Sequence, residues 1–132
     1  LRNNGIKKPI LILGYTPANM AYELSKLNIS QAVFSEEYAN DLSNYAAKNN
    51  VKVKIHLKID TGMSRIGFVF KNERENLETI KELRRVCNLE NLITEGIFTH
   101  FAVADEAGKS IETTNGQFSA FSDICKILKD SS

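Results

Sequence analysis

Val51-Lys52-Val53-Lys54-Ile55-His56-Leu57-Lys58-Ile59-Asp60-Thr61-Gly62-Met63-Ser64-Arg65-Ile66-Gly67-Phe68 is the stretch from which the rest of the chain can be read. Its first half alternates strictly. Val51, Val53, Ile55, Leu57 and Ile59 fall on one face and Lys52, Lys54, His56 and Lys58 on the other, the period-two pattern of a β-strand. The strand is expected to stop at Asp60-Thr61-Gly62, where glycine supplies the positive φ that a sharp turn can require. Gly67 follows in the same loop, with Arg65 between the two glycines. Lysine, aspartate and arginine gathered in a glycine-bracketed loop at a strand end form a candidate site. The plainer reading is an edge strand with one solvated face and a polar turn.

Working outward toward the N-terminus, Gln31-Ala32-Val33-Phe34 reads as a second short strand, with Ser35 as the N-cap of a helix running to about Lys48. Glu36 and Glu37 put negative charge where the helix dipole favours it, and Tyr38, Leu42 and Tyr45 share one side. Before that, Pro9 to Gly14 is an unbroken apolar run of the kind found in strands buried on both faces. Thr16-Pro17 supplies an N-cap and a proline at the first helical position, and Met20, Leu24 and Leu27 an apolar face. Leu1 to Gly5 reads as a helix tail ended by a glycine cap.

Toward the C-terminus, Asn72 to Cys87 is predicted helical, with Leu77, Ile80, Leu83 and Cys87 as its stripe. Glu95 to Phe101 is a fourth strand. After a loop to about Thr114, Phe118, Phe121, Cys125 and Leu128 mark a fourth helix. Strand and helix thus alternate four times, which implies an α/β fold with a parallel sheet. The sheet could be small and open, or it could be half of an eight-stranded barrel, which takes about 250 residues when complete. A start in a helix tail and an end on a helix favour four consecutive βα units of a parallel (β/α)8 TIM-type barrel. Residues 1–132 are then one partial barrel domain, without linker, low-complexity segment or short-period repeat.

Composition narrows the function classes. A chain 42% hydrophobic and 25% charged is of ordinary globular make-up, and its 132 residues suffice for one core. A net charge of +1 gives no electrostatic footprint for nucleic acid. No apolar run approaches the roughly 20 residues of a membrane helix, and no signal peptide opens the chain. Cys87 and Cys125 lie in amphipathic helical patterns, where the default is a small buried hydrophobe, and they are too few for a disulfide framework or a zinc site. A reducing cytoplasm is the expected compartment.

In parallel α/β folds ligands bind beyond the carboxyl ends of the strands. Gly14-Tyr15-Thr16, the Lys58–Gly67 stretch and His100-Phe101-Ala102 all fall there. With the apolar face of the third strand against helices, His56 and Lys58 point to the barrel interior. An inward lysine needs an anionic partner or a reason to be neutral, and Asp60 could be a purely structural partner. His100 could likewise be a hydrogen-bonded structural histidine. Taken together, Lys58, Arg65 and protonated His100 suggest an anionic or electron-rich ligand.

These residues carry a family resemblance. Lys58-Ile59-Asp60-Thr61-Gly62-Met63-Ser64-Arg65-Ile66-Gly67 resembles the lysine–aspartate–threonine–glycine–methionine–x–arginine–x–glycine signature of bacterial alanine racemases. Gly96-Ile97-Phe98-Thr99-His100-Phe101-Ala102-x-Ala104-Asp105-Glu106 is similar to their next strand and loop, and Ile10-Leu11-Ile12-Leu13-Gly14 to a strand before. The resemblance spans essentially the whole chain in the right order. It implies a pyridoxal 5'-phosphate (PLP) enzyme, a homodimer with a barrel domain followed by a β-rich one, that interconverts L- and D-alanine for peptidoglycan. By position, Arg65 corresponds to the catalytic and cofactor-binding arginine that meets the PLP phenolic oxygen. Lys58 corresponds to a lysine often carried as a carbamate that orients this arginine, and His100 to a cofactor-binding histidine beneath PLP.

Two neighbouring cations repel, whereas a carbamate beside a guanidinium makes a charge-assisted pair, and desolvation favours the neutral amine that carbamylation needs. The family's Schiff-base lysine, in a lysine–alanine–asparagine–alanine–tyrosine–glycine context, has no counterpart in this chain, nor has the tyrosine contributed by the C-terminal domain. Racemisation removes a proton on one face of the α-carbon and delivers one on the other. The isolated chain is therefore expected to be inactive, and its open sheet edges to favour self-association. The alternatives are a serine racemase of the same family, a non-catalytic PLP-binding barrel protein, and a small open-sheet domain without PLP.

Overall fold

The computed structural model describes residues 1–106 and 110–130. Five parallel strands form one sheet: β1 (Leu11–Ile12), β2 (Ser30–Val33), β3 (Val53–Asp60), β4 (Phe68–Val69) and β5 (Leu92–Thr99). Four helices alternate with them: α1 (Ala21–Lys26), α2 (Glu36–Lys48), α3 (Leu77–Cys87) and α4 (Ser110–Lys129). The four expected strand–helix units are all present. β3 lies centrally, with β1 and β2 to one side and β5 to the other. The unforeseen β4 pairs Phe68 with Ile59 and Val69 with Asp60. Because Ile59 also pairs with Thr99 of β5, β4 must lie on the β2 edge of β3, just past the end of β2.

The core is the apolar half of the β3 alternation. Val53, Ile55, Leu57 and Ile59 are buried against Leu42 and Ala46 of α2, Ile80, Leu83 and Val86 of α3, and Ala120 and Ile124 of α4. Each such aliphatic side chain contributes about 1.5–3 kcal/mol by leaving water. Ser35 caps α2 as expected, its Oγ accepting the Tyr38 N–H at 3.2 Å. Gly5 closes a single 3-10 turn, Arg2–Asn4, at φ +79°. The Arg2 guanidinium ties that turn down, donating to the carbonyls of Ile6, Lys8, Leu27 and Asn28 at 2.7–2.8 Å.

Several expectations need correction. The run from Pro9 to Gly14 yields only β1, half-buried rather than covered on both faces, because among the described residues it has β2 alone as a neighbour. Thr16 caps no helix. A 3-10 turn, Ala18–Met20, precedes α1, and the Thr16 carbonyl accepts the Tyr38 hydroxyl at 2.7 Å instead. Tyr45 of α2 and Leu77 of α3 are exposed. α3 starts at Leu77 rather than Asn72, because the Asn76 side chain takes the N–H groups of Lys71 and Asn72, and Asn72 takes that of Glu75.

β5 begins at Leu92 rather than Glu95, and α4 at Ser110 rather than near Thr114, although residues 107–109 of that loop lie outside the described residues. The buried face of α4 carries Gln117, Ala120 and Ile124, one position round from the predicted stripe, so Phe118 is exposed. Cys87 is exposed and Cys125 half-buried, contrary to expectation. Both line an open groove where α3 and α4 flank β5, whose outer edge has no strand neighbour among the described residues.

Candidate active site

The second face of β3 carries Lys54, His56, Lys58 and Asp60 in order toward the carboxyl end. Around its lower part a β-bulge inserts Glu95 into β5, between the pairs Ile55–Thr94 and His56–Gly96. The bulge turns Glu95 toward the lysine side. Its carboxylate takes Lys54 Nζ at 2.8 Å and the Ser30 hydroxyl at 2.7 Å, with His56 Nε2 at 4.0 Å. The hydrogen bond from Lys54, then that from Ser30, hold Glu95 below the usual carboxylate range. Gly96 leaves room beside it for the imidazole, since a Cβ there would lie 2.7 Å from His56 Nδ1 and the ring would have to shift.

Lys58 differs. Only 5% of it is exposed, and no carboxylate is within ion-pair distance of its Nζ among the described residues. The ammonium reaches the Ile59 carbonyl at 3.3 Å and stands 5.3 Å from the centre of the Phe98 ring. Burial pushes its pKa down. Asp60 works against that and the nearby Arg65 charge works with it, and the net shift is downward.

Asp60 is not the structural ion-pair partner that the sequence suggested. Its Oδ1 accepts the backbone N–H groups of Gly62 and Ser64 at 2.9 and 3.0 Å, and its Oδ2 that of Arg65 at 3.1 Å. Burial raises this carboxyl's pKa, but the three N–H groups together with Lys58 outweigh it and hold it below its ordinary value. Asp60 thus winds the following loop around itself. Ser64 sits at φ +56° and Gly67 at φ +131°, where the loop backbone returns against β3. A Cβ on Gly67 would lie 2.8 Å from the Lys58 carbonyl oxygen and 2.9 Å from the Asp60 nitrogen.

Winding the loop this way presents Arg65. Its side chain is exposed, makes no hydrogen bond or ion pair among the described residues, and lines an open pocket of about 310 Å³ together with Ser64, Ile66, Val69 and Lys71. His100 stands one residue beyond β5, exposed, with its ring unbonded among the described residues. The structure therefore brings Lys58 and Arg65 into electrostatic reach of one another and puts His100 at the same end of the sheet, on the adjacent strand. Tyr15, the exposed member of the predicted Gly14-Tyr15-Thr16 stretch, joins Phe34 and Tyr38 in an aromatic group, with the Phe34 and Tyr38 rings stacked at 4.8 Å. Burial drives the Tyr38 phenol to a pKa of about 12.

Sequence reasoning missed Thr61, Thr99 and Gln117. Thr61 Oγ1 and Thr99 Oγ1 are 2.9 Å apart, and Thr99 donates to the Ile59 carbonyl at 2.9 Å. Gln117 reaches them from α4, donating to Thr61 at 3.3 Å. The only signal was a glutamine at helical spacing from Ala120 and Ile124, on the face that turns inward.

The parallel βα array is an α/β fold of barrel type, and Lys58 and Arg65 lie at the carboxyl ends of its strands, where ligands bind in such folds. Comparison with known proteins gives the family. The model of the alanine racemase N-terminal domain matches residues 1–132, and the chain belongs to that family. It is 44% identical over 130 residues to the alanine racemase of Clostridium perfringens (strain SM101 / Type A), covering 98% of this chain and 32% of that one. Alanine racemase of Clostridium difficile 630 in complex with cycloserine superposes with a TM-score of 0.86 at 39% identity, over 98% of this chain and 34% of that one. A histidine racemase from Leuconostoc mesenteroides subsp. sake superposes with a TM-score of 0.76 at 30% identity, over 91% of this chain and 30% of that one. The chain thus spans about a third of the length of these relatives, and its four βα units are part of a (β/α) barrel. No helix among the described residues is long and apolar enough to cross a membrane.

Proposed function

We propose that this chain is part of the barrel domain of a PLP-dependent alanine racemase, acting as a cytoplasmic homodimer that interconverts L- and D-alanine. The observation that carries the reading is the Asp60-wound loop, which offers an Arg65 guanidinium and a buried Lys58, both without an ion pair among the described residues. The residues present fit the cofactor. The Arg65 donors, unbonded among the described residues, would suit its phenolic oxygen, and His100 on the adjacent strand end would help to hold the cofactor. When bound, PLP supplies the electron sink that makes the α-proton of an amino acid removable.

This chain's own contribution is binding and orientation. Burial favours the neutral Lys58 amine, which can add to carbon dioxide. One C–N bond forms, one proton is released, and the product is a carbamate anion. That anion, beside Arg65, would replace the repulsion of two cations by a charge-assisted pair and hold the guanidinium toward the pocket. The acid–base residues on either side of the α-carbon are read as lying outside this chain, so the chain alone is expected to be inactive. A histidine racemase among the relatives fits a substrate side chain met mostly elsewhere, and serine remains the alternative substrate.

The test uses the full-length protein with PLP: turnover of L-alanine and L-serine by wild type and Arg65→Ala. Turnover of alanine with a loss of about a hundredfold or more in kcat/KM on removing Arg65 is expected. An Arg65→Ala protein that racemises at the wild-type rate overturns the assignment.

A further inference from the structure

Gln117 is buried on α4, yet its side chain bonds not to its own helix but to two loops. Its Oε1 accepts the Ala102 N–H at 2.9 Å, in the loop that follows β5. Its Nε2 donates to Thr61 Oγ1 at 3.3 Å, in the loop that follows β3, and to the His100 carbonyl at 3.4 Å. The side chain also packs on Gly62, where even an added Cβ would be 3.7 Å from Gln117 Cγ.

The proton directions are determined. Thr99 gives its single hydroxyl proton to the Ile59 carbonyl, so Thr61 donates to Thr99, and the Thr61 oxygen is left to accept from Gln117. The Ala102 N–H in turn requires the amide oxygen, which fixes the amide's orientation. One directed chain, Gln117 to Thr61 to Thr99 to Ile59, runs from α4 into the centre of the sheet, and such chains strengthen cooperatively. Its members lie between the loop that carries Arg65 and the loop that begins at His100.

We propose that Gln117 is a positioning residue that locks these two loops to one another, so that the Arg65 and His100 groups keep a fixed relation and loosen together. Its importance for catalysis rests on the racemase reading above; the coupling itself does not. Thr61 already ties its loop to the end of β5 through Thr99, but the bond onward to Ala102 and the His100 carbonyl comes from a helix about fifty residues beyond Arg65.

The test compares full-length wild type with Gln117→Glu and Gln117→Met. Glutamate, followed at a pH where it is ionised, keeps the shape and the acceptor for Ala102 but cannot donate to Thr61 or His100. Methionine keeps the packing and loses every bond. Amide hydrogen exchange is followed at Gly62, Ser64 and Arg65 in one loop and at Ala102 in the other, beside the melting temperature and, with PLP, kcat and KM. Expected is exchange at least about tenfold faster in both loops in both variants, and faster in Gln117→Met, which loses three hydrogen bonds, than in Gln117→Glu, which loses two, with β3 core amides unchanged. For Gln117→Glu this includes Ala102, whose own acceptor remains. Faster exchange confined to one loop, or unchanged exchange at Ser64 and Arg65, overturns the coupling. If the loops loosen together but wild type racemises no amino acid, the coupling stands and the racemase reading falls. Should Gln117→Met fail to fold, the isosteric Gln117→Glu decides.

Discussion

Lys54 and Lys58 project from the same face of β3, four residues apart, and live in different worlds. Lys54, with 38% of its side chain exposed, holds Glu95 at 2.8 Å beside Ser30 and His56, a set that satisfies itself. Lys58, at 5% exposure, has an aromatic ring, one carbonyl and a neighbouring arginine, and among the described residues no carboxylate within ion-pair distance. The lower set reads as structure, because every charge in it has a partner. The upper set reads as a site, because its charges are unbalanced and the nearest carboxylate, Asp60, is consumed by backbone N–H groups. What separates them is the loop from Asp60 to Gly67, which occupies the Asp60 carboxylate and returns against the backbone of Lys58 to Asp60.

Gly67→Ala should break the contrast most severely. A Cβ at φ +131° meets the backbone of Lys58 and Asp60 at 2.8–2.9 Å, with nothing flexible to give way. A loss of about 3 kcal/mol or more in denaturant unfolding is expected. In parallel, Lys58 should become as reactive toward an amine-acylating reagent as Lys54, read by peptide mass spectrometry; a protected Lys58 would show that the loop is not what buries it.

Asp60→Asn should cost less, about 1–3 kcal/mol, because an amide sets a donor against one of the three N–H groups. The sign with pH follows from the depressed folded-state pKa. The carboxylate's contribution is complete above its ordinary value of 3.8 and is lost as pH falls through the lower folded value. Wild-type and variant stabilities should converge in acid, and parallel curves would mean that the ionised form is not what the loop binds.

The smallest effects sharpen the comparison. In PLP-free protein and buffer without carbon dioxide, Lys58→Met should raise the melting temperature, since an unpaired ammonium leaves the interior. A lysine with a lowered folded pKa is penalised fully below that pKa, and the penalty fades as pH rises from it toward 10.5. The advantage of Lys58→Met should therefore be greatest at neutral pH and shrink in alkali. Lys54→Met should move stability the other way, by no more than about 1 kcal/mol, as for a part-exposed ion pair. Equal shifts for the two substitutions would erase the distinction between the halves.

Local pattern carried much of this molecule. The β3 alternation, the Ser35 cap, four strand–helix units and the Lys58–Gly67 signature are all short-range features, set by residues a few positions apart, and the structure keeps them. What pattern could not carry were facts that need two distant segments at once. Glu95 and Gly96 look like the start of a strand, and only their register against Lys54 and His56 makes them a bulge. Asp60 looks like the partner of Lys58, and only the closed loop shows its oxygens occupied. Phe118 outranks Gln117 in hydrophobicity, yet Gln117 turns inward because three polar groups on two other segments, the Ala102 N–H, the Thr61 hydroxyl and the His100 carbonyl, bond to its amide. Sequence alone determined the order of the four strand–helix units, the buried face of the central strand and the family, because hydrophobic period and local turn chemistry act within a few residues. Tertiary structure alone decided which charges are paired, because the satisfaction of a buried polar group depends on what the rest of the chain brings to it.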